Sequence, residues 1–335
     1  MTAQLTNSPI RTTIGNTPFA IPRDLFTNSP GNSPNYFTLA SQLFSANPSE
    51  EYPGLAQRAL IRPPALLPPC VPNRDAGIFA DLIRLLEGYE VEFRSEEHRR
   101  MLVRDARYYC FRGVEQRLVR CRISSLPGPL VDGINGGGGD GAREEIEIGL
   151  EDVRQSGISF LEDAGRDGVG KEGVSGEVHY ARPFVDDVGR RLALEVGGKG
   201  VVRVVMDCDG IAGEASFWGE TATKMRRLVG VVGMRTGLPL PDSAGRSEAP
   251  FNVRCTIDSQ ADVFVDGKRW DLDNSRDGED AMVLGQGGSG WMVKKSQWRI
   301  KAAVCQAGRL ELSLEAVKIE AYSSERAMNN DRGFL

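Results

Sequence analysis

The stretch from Cys70 to Ile123, CVPNRDAGIFADLIRLLEGYEVEFRSEEHRRMLVRDARYYCFRGVEQRLVRCRI, decides the fold of the first part of the chain. Asn73 can cap a helix, and the apolar residues that follow recur at helical spacing, so a buried core helix is predicted that ends at Gly88. Ser95, followed by two acids, predicts the start of a second helix. Gly113 is expected to separate this helix from a last one. The apolar stripe of the core helix comprises Ile78, Phe79, Leu82, Ile83, Leu85 and Leu86.

Upstream of the core helix, Thr12 to Phe26 predicts a hairpin. Gly15 and Asn16 suit a two-residue turn because both tolerate positive φ. The segment 27–72 is rich in Ser, Asn and Pro, and it predicts long irregular structure with one helical turn. Together these segments predict a domain of a small sheet plus helices over residues 10–123, preceded by a tail over 1–9.

Residues 124–143, SSLPGPLVDGINGGGGDGAR, predict a Gly-rich linker, because four consecutive glycines do not hold one backbone conformation cheaply. The following residues 144–322 predict a β-rich α+β domain, and 323–335 a second tail. Within the predicted 144–322 domain, apolar and polar side chains alternate along Trp298–Cys305 and along Leu310–Tyr322. This alternation is typical of a half-buried antiparallel hairpin. One helix is predicted over Thr221–Arg235. Further strands are expected at Glu145–Leu150, Val178–Ala181, Arg191–Val196, Val201–Met206, Val253–Ile257 and Ala261–Val265. The predicted fold class of the chain is α+β.

The composition argues against several classes of protein. Hydrophobic residues make up 40% and charged residues 26%, which suffices for one or two cores, whereas the net charge of -5 does not suit a nucleic-acid binder. No window approaches the roughly 18 apolar residues of a membrane span, and the N-terminal residues lack the apolar region of a signal peptide. The six cysteines are scattered, and we interpret them as reduced thiols. A cytoplasmic location, with a nuclear one also open, is therefore expected.

Two patterns suggest ligand chemistry but are incomplete. GRDGVGK at 165–171 matches seven positions of a phosphate-binding P-loop, but Glu172 stands where Ser or Thr should bind Mg²⁺. DLDNS at 271–275 resembles the start of a calcium loop, but Arg276 and Met282 replace its required Gly and Glu. We therefore expect no cofactor and no metal.

The two histidines also give no catalytic signal. Neither His98 nor His179 has a Cys or a second His at metal-ligand spacing. His98 is expected on an exposed helix face, and His179 in a strand. We expect no catalytic residue. An enzyme with its site in the second domain is kept as an alternative, and it would need a deep pocket near His179, Asp207 or Asp209.

Four segments, in order, resemble motifs of the BTB/POZ domain of the potassium-channel-tetramerisation (KCTD-like) type. Residues 14–19 (IGNTPF) resemble the family's hairpin, and 73–79 (NRDAGIF) resemble the entry to its core helix. Residues 85–89 (LLEGY) resemble the end of that helix, and 106–109 (ARYY) with Val114 its last helix pair. The match covers residues 10–123. IPRDLF and PGNSPNYFTL further resemble a fungal group related to a yeast regulator that helps to activate a membrane-associated phosphatase in stress response and restrains nutrient-driven TOR signalling.

The resemblance implies a non-enzymatic protein–protein interaction adaptor. Such a protein would self-associate through its BTB-like domain and act in stress or nutrient signalling, with a phosphatase as a possible partner. The family's animal relatives imply an alternative, a substrate adaptor that binds a cullin scaffold of a ubiquitin ligase. Some tetramerisation domains carry interfacial zinc on an adjacent Cys pair, and this chain has no such pair. No zinc, no nucleic acid and no membrane span are expected.

The candidate assembly or partner surface consists of Arg74, Asp75, Tyr108 and Tyr109. For Arg74 and Asp75 two interpretations are open: a local helix cap with an ion pair, worth about 0–1 kcal/mol at a surface, or the charged subunit contact that the resemblance implies. Tyr108 and Tyr109 are adjacent, so they point in different directions on a helix. One is expected in the core. The other is either an exposed aromatic anchor for a partner or half-buried packing.

Overall fold

The structure, a computed structural model, describes residues 9–29, 31–39, 70–126, 143–162, 176–198, 201–207, 212–238, 250–270, 290–304 and 310–331. The chain divides into two compact units. The first unit comprises Met1–Val119 and Pro183–Val185, and the second comprises Arg120–Arg182 and Asp186–Leu335.

The first unit is a small sheet with helices. Its sheet has the order β2-β1-β3, in which β1 runs antiparallel to β2 and parallel to β3. The β1–β2 turn contains Gly15 at a φ of 57°, as the hairpin prediction required. The elements are β1 (Ile10–Ile14), β2 (Thr17–Ile21), α1 (Arg23–Thr27), β3 (Cys70–Val71), α2 (Ala76–Leu86), α3 (Glu96–Tyr108) and α4 (Arg112–Leu118).

Two helix ends differ from the prediction. The cap of α2 is Asp75, not Asn73, because the Asp75 carboxylate accepts a hydrogen bond from the Ile78 N–H. The break between α3 and α4 lies at Cys110, which has a φ of 60°, whereas Gly113 lies inside α4. The predicted Ser95 cap and the stop at Gly88, with a φ of 92°, are present. The end of α3 has a local cap pattern: the Phe111 N–H donates to the Ala106 carbonyl, the Cys110 N–H donates to the Arg107 carbonyl, and Cys110 takes the left-handed position that a glycine usually occupies.

The core of the first unit is aromatic. Phe37 packs against Phe26 with ring centroids 4.7 Å apart and against Tyr109 at 5.4 Å, and Phe79 lies 5.0 Å from Tyr109. Each such pair adds about 0.5–1.5 kcal/mol beyond the burial itself. Phe37 belongs to the segment predicted as irregular. Its helical turn is held by the buried Asn35 side chain, whose Oδ1 accepts from the Phe37 N–H.

The second unit is one large sheet with helices. Its elements are β4 (Cys121–Leu126), β5 (Arg143–Gly149), a 3-10 turn (Gln155–Gly157), β6 (Ile158–Glu162), β7 (Gly176–Tyr180), β8 (Arg190–Gly197), β9 (Val202–Met206), β10 (Ala212–Phe217), α5 (Gly219–Thr236), β11 (Phe251–Val265), β12 (Lys268–Arg269), β13 (Trp291–Val304), β14 (Leu310–Tyr322) and α6 (Glu325–Asn330). Over the described residues the sheet has 11 strands.

The long strands β13 and β14 organise this sheet. They form the predicted antiparallel hairpin, and Trp298, Ile300 and Ala302 are all buried on one face, as their alternation predicts. β14 also pairs with β11, β11 with β10, β10 with β9, and β9 with the start of β13. These five strands therefore close into a ring. The predicted helix is α5, with Met225 and Val229 on its buried face.

Other strands differ from the prediction in extent. The two strands expected over 253–265 are one strand with an irregularity between Ile257 and Asp262, and β6 and β10 were not predicted. β4 pairs with β5, so it starts inside the predicted first domain and runs into the predicted linker, and the division of units falls between Val119 and Arg120. Residues 127–142 of that linker lie outside the described residues. The pairing that defines β4 is not visible in its local sequence.

The α+β class of the chain is confirmed by this mixture of helices and many strands. None of the helices in the described residues is long and apolar enough to cross a membrane.

Candidate interaction site

The four predicted surface residues all lie in the first unit, but the structure brings only some of them together. Arg74 lies in the turn before α2, Asp75 caps α2, Tyr108 ends α3 and Tyr109 is the cap residue after it. The Arg74 guanidinium carbon lies 4.2 Å from the centre of the Tyr108 ring, within the range of a cation–π contact. Arg74 and Tyr108 therefore form one local surface.

Arg74 is held from two sides. Its Nη1 donates to Asp105 Oδ1 at 2.7 Å, and its guanidinium lies over the Tyr108 ring. The Arg74 side chain remains 21% exposed, whereas that of Asp105 is 0% exposed. This pair joins residues 31 positions apart, so it is a tertiary contact and not the local ion pair that one interpretation of the sequence expected.

The Asp75 side chain caps the first turn of α2. Its Oδ1 accepts from the Ile78 N–H at 2.9 Å, which satisfies one of the free donors at the start of α2. A cap of this kind typically contributes about 1 kcal/mol. This hydrogen bond is the local helix cap that one interpretation of the sequence assigned to Asp75.

Tyr109 is a core residue. It is fully buried, and its ring lies against Phe37, Phe79 and Phe111. Burial of the phenol, and then the nearby Asp105 carboxylate, raises the pKa of Tyr109 above its ordinary value. Among the described residues its hydroxyl has no hydrogen-bond partner. Tyr109 is therefore the tyrosine of the pair that the sequence expected in the core.

Tyr108 faces outward and is 40% exposed. Its ring centroid lies 5.8 Å from that of Tyr36, whose backbone N–H donates to the Tyr109 carbonyl. Burial, followed by Tyr108 and Cys70, raises the pKa of Tyr36. Arg74, Tyr36 and Tyr108 thus form one continuous amphipathic surface, which we call the Arg74–Tyr108 surface.

Asp105 and Arg104 belong to this surface, and the sequence reasoning missed both. Arg104 Nε donates to Asp105 Oδ1 at 2.9 Å, so two arginines meet on one carboxylate oxygen. Asp105 lies three residues after the buried Leu102 and one before the buried Ala106. An acid at this spacing, on the apolar face of a predicted helix, was the available signal that it needs a cationic partner.

His98 was expected to be exposed, and this prediction is wrong. Its side chain is only 7% exposed, and the Arg94 N–H donates to its Nδ1, so Nε2 donates to Asp81 Oδ2 at 3.1 Å. Arg94 also reaches this carboxylate. The contact ties the middle of α2 to the first turn of α3. His98 lies four residues before Leu102 on the same helix face, which explains its burial.

The second unit contains a pocket, but not where the enzyme alternative required one. The pocket has a volume of about 450 Å³, and neither His179, which lies in β7 as predicted, nor Asp207 lines it. Asp209 lies outside the described residues. The pocket is lined by Val202, Arg203, Trp218, Gly290, Met292, Ser323, Ser324 and Glu325.

The remaining candidate sites have the following status. The P-loop-like and calcium-like segments lie outside the described residues. Within the part of the chain that the structure describes, no group of three or more His, Cys, Asp or Glu side chains could hold a metal ion. The four cysteines in that part, Cys70, Cys110, Cys121 and Cys255, are free thiols.

Comparison with known proteins finds two distant relatives in Saccharomyces cerevisiae. One is a BTB/POZ domain-containing protein, 32% identical over 153 residues, which are 44% of this chain and 27% of the relative. The other is an uncharacterized protein, 32% identical over 149 residues, or 44% of this chain and 26% of the relative. The matches thus span about a quarter of the length of these curated relatives. No family model and no solved structure matches the chain. The similarity supports a BTB/POZ domain in this chain.

Proposed function

We propose that this protein is a non-enzymatic adaptor that binds other proteins through the Arg74–Tyr108 surface. The observation that carries the proposal is the fixed geometry of Arg74, which is bound to Asp105 on one side and to the Tyr108 ring on the other. Arg and Tyr are among the residue types that most often dominate the binding energy at interfaces. A side chain that is already ordered also loses little conformational entropy when a partner binds.

The distant similarity to a BTB/POZ domain-containing protein agrees with this role. We propose that residues 10–123 form this domain and that it is of the potassium-channel-tetramerisation type. The order β1, β2, core helix and two further helices supports this placement, because the four motifs fall on those elements in that order. The proposal also includes a linker over 124–143 and a second domain over 144–322, with β4 as the segment at the boundary that pairs with the second unit.

A cellular role follows from the resemblance to fungal regulators. We propose that the protein acts in stress or nutrient signalling in the cytoplasm or nucleus, with a phosphatase among its partners. The proposed cellular role is supported by the segments IPRDLF and PGNSPNYFTL, which resemble segments of that fungal group.

Self-association is part of the proposal, and light scattering of the full chain at micromolar concentration tests it. We expect a particle larger than the 36.6 kDa monomer, and we expect Tyr108→Ala to shift it toward the monomer. Tyr89→Ala is the matched control, since Tyr89 is also in the first unit and is 61% exposed. A wild-type particle that is strictly monomeric would remove self-association. Equal behaviour of Tyr108→Ala and Tyr89→Ala would remove Tyr108 from the interface.

A pull-down with a purified cullin scaffold separates the adaptor proposal from the ubiquitin-ligase alternative. Binding that is lost in Tyr108→Ala would favour the alternative. Absence of binding by the folded wild-type chain would exclude it.

A further inference from the structure

We propose that Ser125 is a phosphorylation site for an arginine-directed protein kinase, and that a phosphate at this position loosens β4 from β5. The inference goes beyond the proposed function, because it concerns the first strand of the second unit and not the Arg74–Tyr108 surface. In the reaction the Ser125 Oγ attacks the γ-phosphorus of ATP, the hydroxyl proton passes to a base of the kinase, and ADP leaves.

The sequence before Ser125 carries the charge pattern that an arginine-directed kinase selects. Arg122 and Arg120 stand three and five residues before Ser125, and residues 120–126 read RCRISSL. Both arginines and Ser125 are exposed, whereas Ser124 is half-buried, and neither arginine is ion-paired within the described part of the chain. Kinases discriminate between substrates by such charge patterns, because arginines before the acceptor bind acidic side chains beside the substrate cleft. Ser125 is therefore the acceptor that both exposure and spacing favour.

The strand β4 presents this segment in an extended form at the edge of the sheet. Cys121–Leu126 pairs with β5 along its whole length, and β5 is its only partner among the described strands. An edge strand of this kind offers its second row of backbone groups to another protein. A kinase can thus contact the backbone of β4 and the side chains of Arg122 and Ser125 from the open edge.

A phosphate on Ser125 meets a carboxylate across the sheet. Ser125 lies directly opposite Glu144 of β5, and residues in such pairs have Cβ atoms about 4.5–5.5 Å apart. Glu144 Oε2 accepts from Arg190 Nε at 2.7 Å, and Arg190 Nη1 lies 3.4 Å from Asp186, which Arg182 also binds. Among the described side chains, these two acids and two arginines already balance in charge. A phosphate of about -1.5 to -2 charges therefore repels Glu144 and competes with it for Arg190, which weakens the end of the β4–β5 ladder.

Incubation of the full chain with MgATP and a purified arginine-directed kinase, followed by peptide mass spectrometry, tests the site. We expect the phosphate on Ser125, and we expect Arg122→Gln to slow its incorporation at least about tenfold, which is the size of a charge-assisted hydrogen bond. Arg122→Lys is expected to recover part of the rate, because the charge remains. Arg227→Gln is the matched control, since Arg227 is also exposed in the second unit but lies on α5, outside the motif.

Hydrogen exchange of the phosphorylated full chain tests the effect on β4. We expect the amides of residues 123–126 to exchange about two- to fivefold faster than in the unmodified chain, which is the size of a like-charge pair across two strands. Glu144→Gln is the matched variant. In that variant the phosphate faces Arg190 without a competing carboxylate, so we expect phosphorylation not to accelerate exchange.

Three outcomes would overturn the proposal. The first is a folded wild-type chain that carries no phosphate on Ser125, or carries it mainly on Ser124. The second is equal slowing by Arg122→Gln and Arg227→Gln, which would mean that the kinase does not recognise the arginines before Ser125. The third is unchanged exchange of residues 123–126 after phosphorylation, which would remove the loosening of β4.

Discussion

Asp105 in the first unit and Arg299 in the second are both buried charges, but their surroundings compensate them in opposite ways. Arg299 is 7% exposed and is bound by three acids: Glu145 at 2.6 Å, Asp258 at 2.7 Å and Glu315 at 3.3 Å. Burial alone would lower the pKa of Arg299, but Glu145 and Glu315 raise it, so the guanidinium stays charged. Asp105 is instead bound by two arginines that both reach solvent.

The two sites differ in where the partners of the buried charge lie. The partners of Arg299 lie on strands β5, β11 and β14, so they hold the sheet together across its width. Lys301 extends this network by bridging Glu315 and Glu177. The partners of Asp105 are Arg74 and Arg104, whose side chains are 21% and 56% exposed. The partners of Arg299 are thus mostly buried with it, whereas the partners of Asp105 are accessible to solvent.

The largest effect is expected from Arg299→Met. It leaves Glu145, whose side chain is only 4% exposed, without its cationic partner, and we expect the unfolding free energy of the full chain to fall by about 3–5 kcal/mol. Chemical denaturation measures this loss. Lys295→Met is the control, because Lys295 is 55% exposed and its pair with Glu195 contributes about 0–1 kcal/mol. A loss of under about 1 kcal/mol for Arg299→Met would contradict a structural role of the network.

A smaller loss is expected from Asp105→Asn. Both arginines can be hydrated when the carboxylate charge is removed, so we expect a loss of about 1–3 kcal/mol by the same measurement. Glu97→Gln on the same helix, with a side chain 73% exposed, should change little. If Asp105→Asn cost as much as Arg299→Met, the contrast between the two sites would be wrong.

A pH titration sharpens the same contrast. Burial would raise the pKa of Asp258, but the Gln260 N–H and the Arg299 guanidinium lower it, and its net pKa lies below the ordinary value of about 3.9. A lowered pKa stabilises the folded state above the unfolded-state pKa, and this contribution is lost as pH falls through the folded-state pKa. We therefore expect the stability difference between wild type and Asp258→Asn to be constant near neutral pH and to shrink below about pH 4. A difference that stays constant below that pH would contradict the ion pair.

The smallest effect is expected from Tyr109→Phe. The Tyr109 hydroxyl has no partner among the described residues, so its removal should leave stability within about 0.5 kcal/mol or raise it slightly. Tyr180→Phe is the matched variant in the second unit, because the equally buried Tyr180 hydroxyl accepts from the Arg154 N–H at 3.1 Å. That change should cost about 0.5–1.5 kcal/mol. Equal costs in thermal melts would show that the Tyr109 hydroxyl has a partner after all.

The sequence predicts those parts of the molecule that local periodicity specifies. The stripe of α2 and the alternation along β13 and β14 depend on residues close in sequence, and both are confirmed. The predicted cap of α2, Asn73, is wrong, because Asn and Asp are equally good cap residues and only the backbone path selects Asp75.

Long-range pairings are the part that the sequence does not show. The Arg74–Asp105 contact joins the turn before α2 to α3, and the Asp81–His98 contact joins α2 to α3, so neither has a local signature. Phe37 was hidden in a segment of low regularity, and its burial depends on hydrogen bonds to the Asn35 side chain. The candidate surface was therefore half predicted: Arg74 and Tyr108 meet, whereas Tyr109 belongs to the core and Arg104 was not found.

The ring closed by β9, β10, β11, β14 and β13 has a consequence for how the second unit comes apart. A strand at the edge of an open sheet detaches by breaking one ladder of hydrogen bonds, but each strand of this ring is paired on both sides. The removal of any one of these five strands therefore requires two ladders of hydrogen bonds to break at once. The backbone amides of these strands should therefore exchange with solvent as one cooperative block, and more slowly than those of the terminal strand β4.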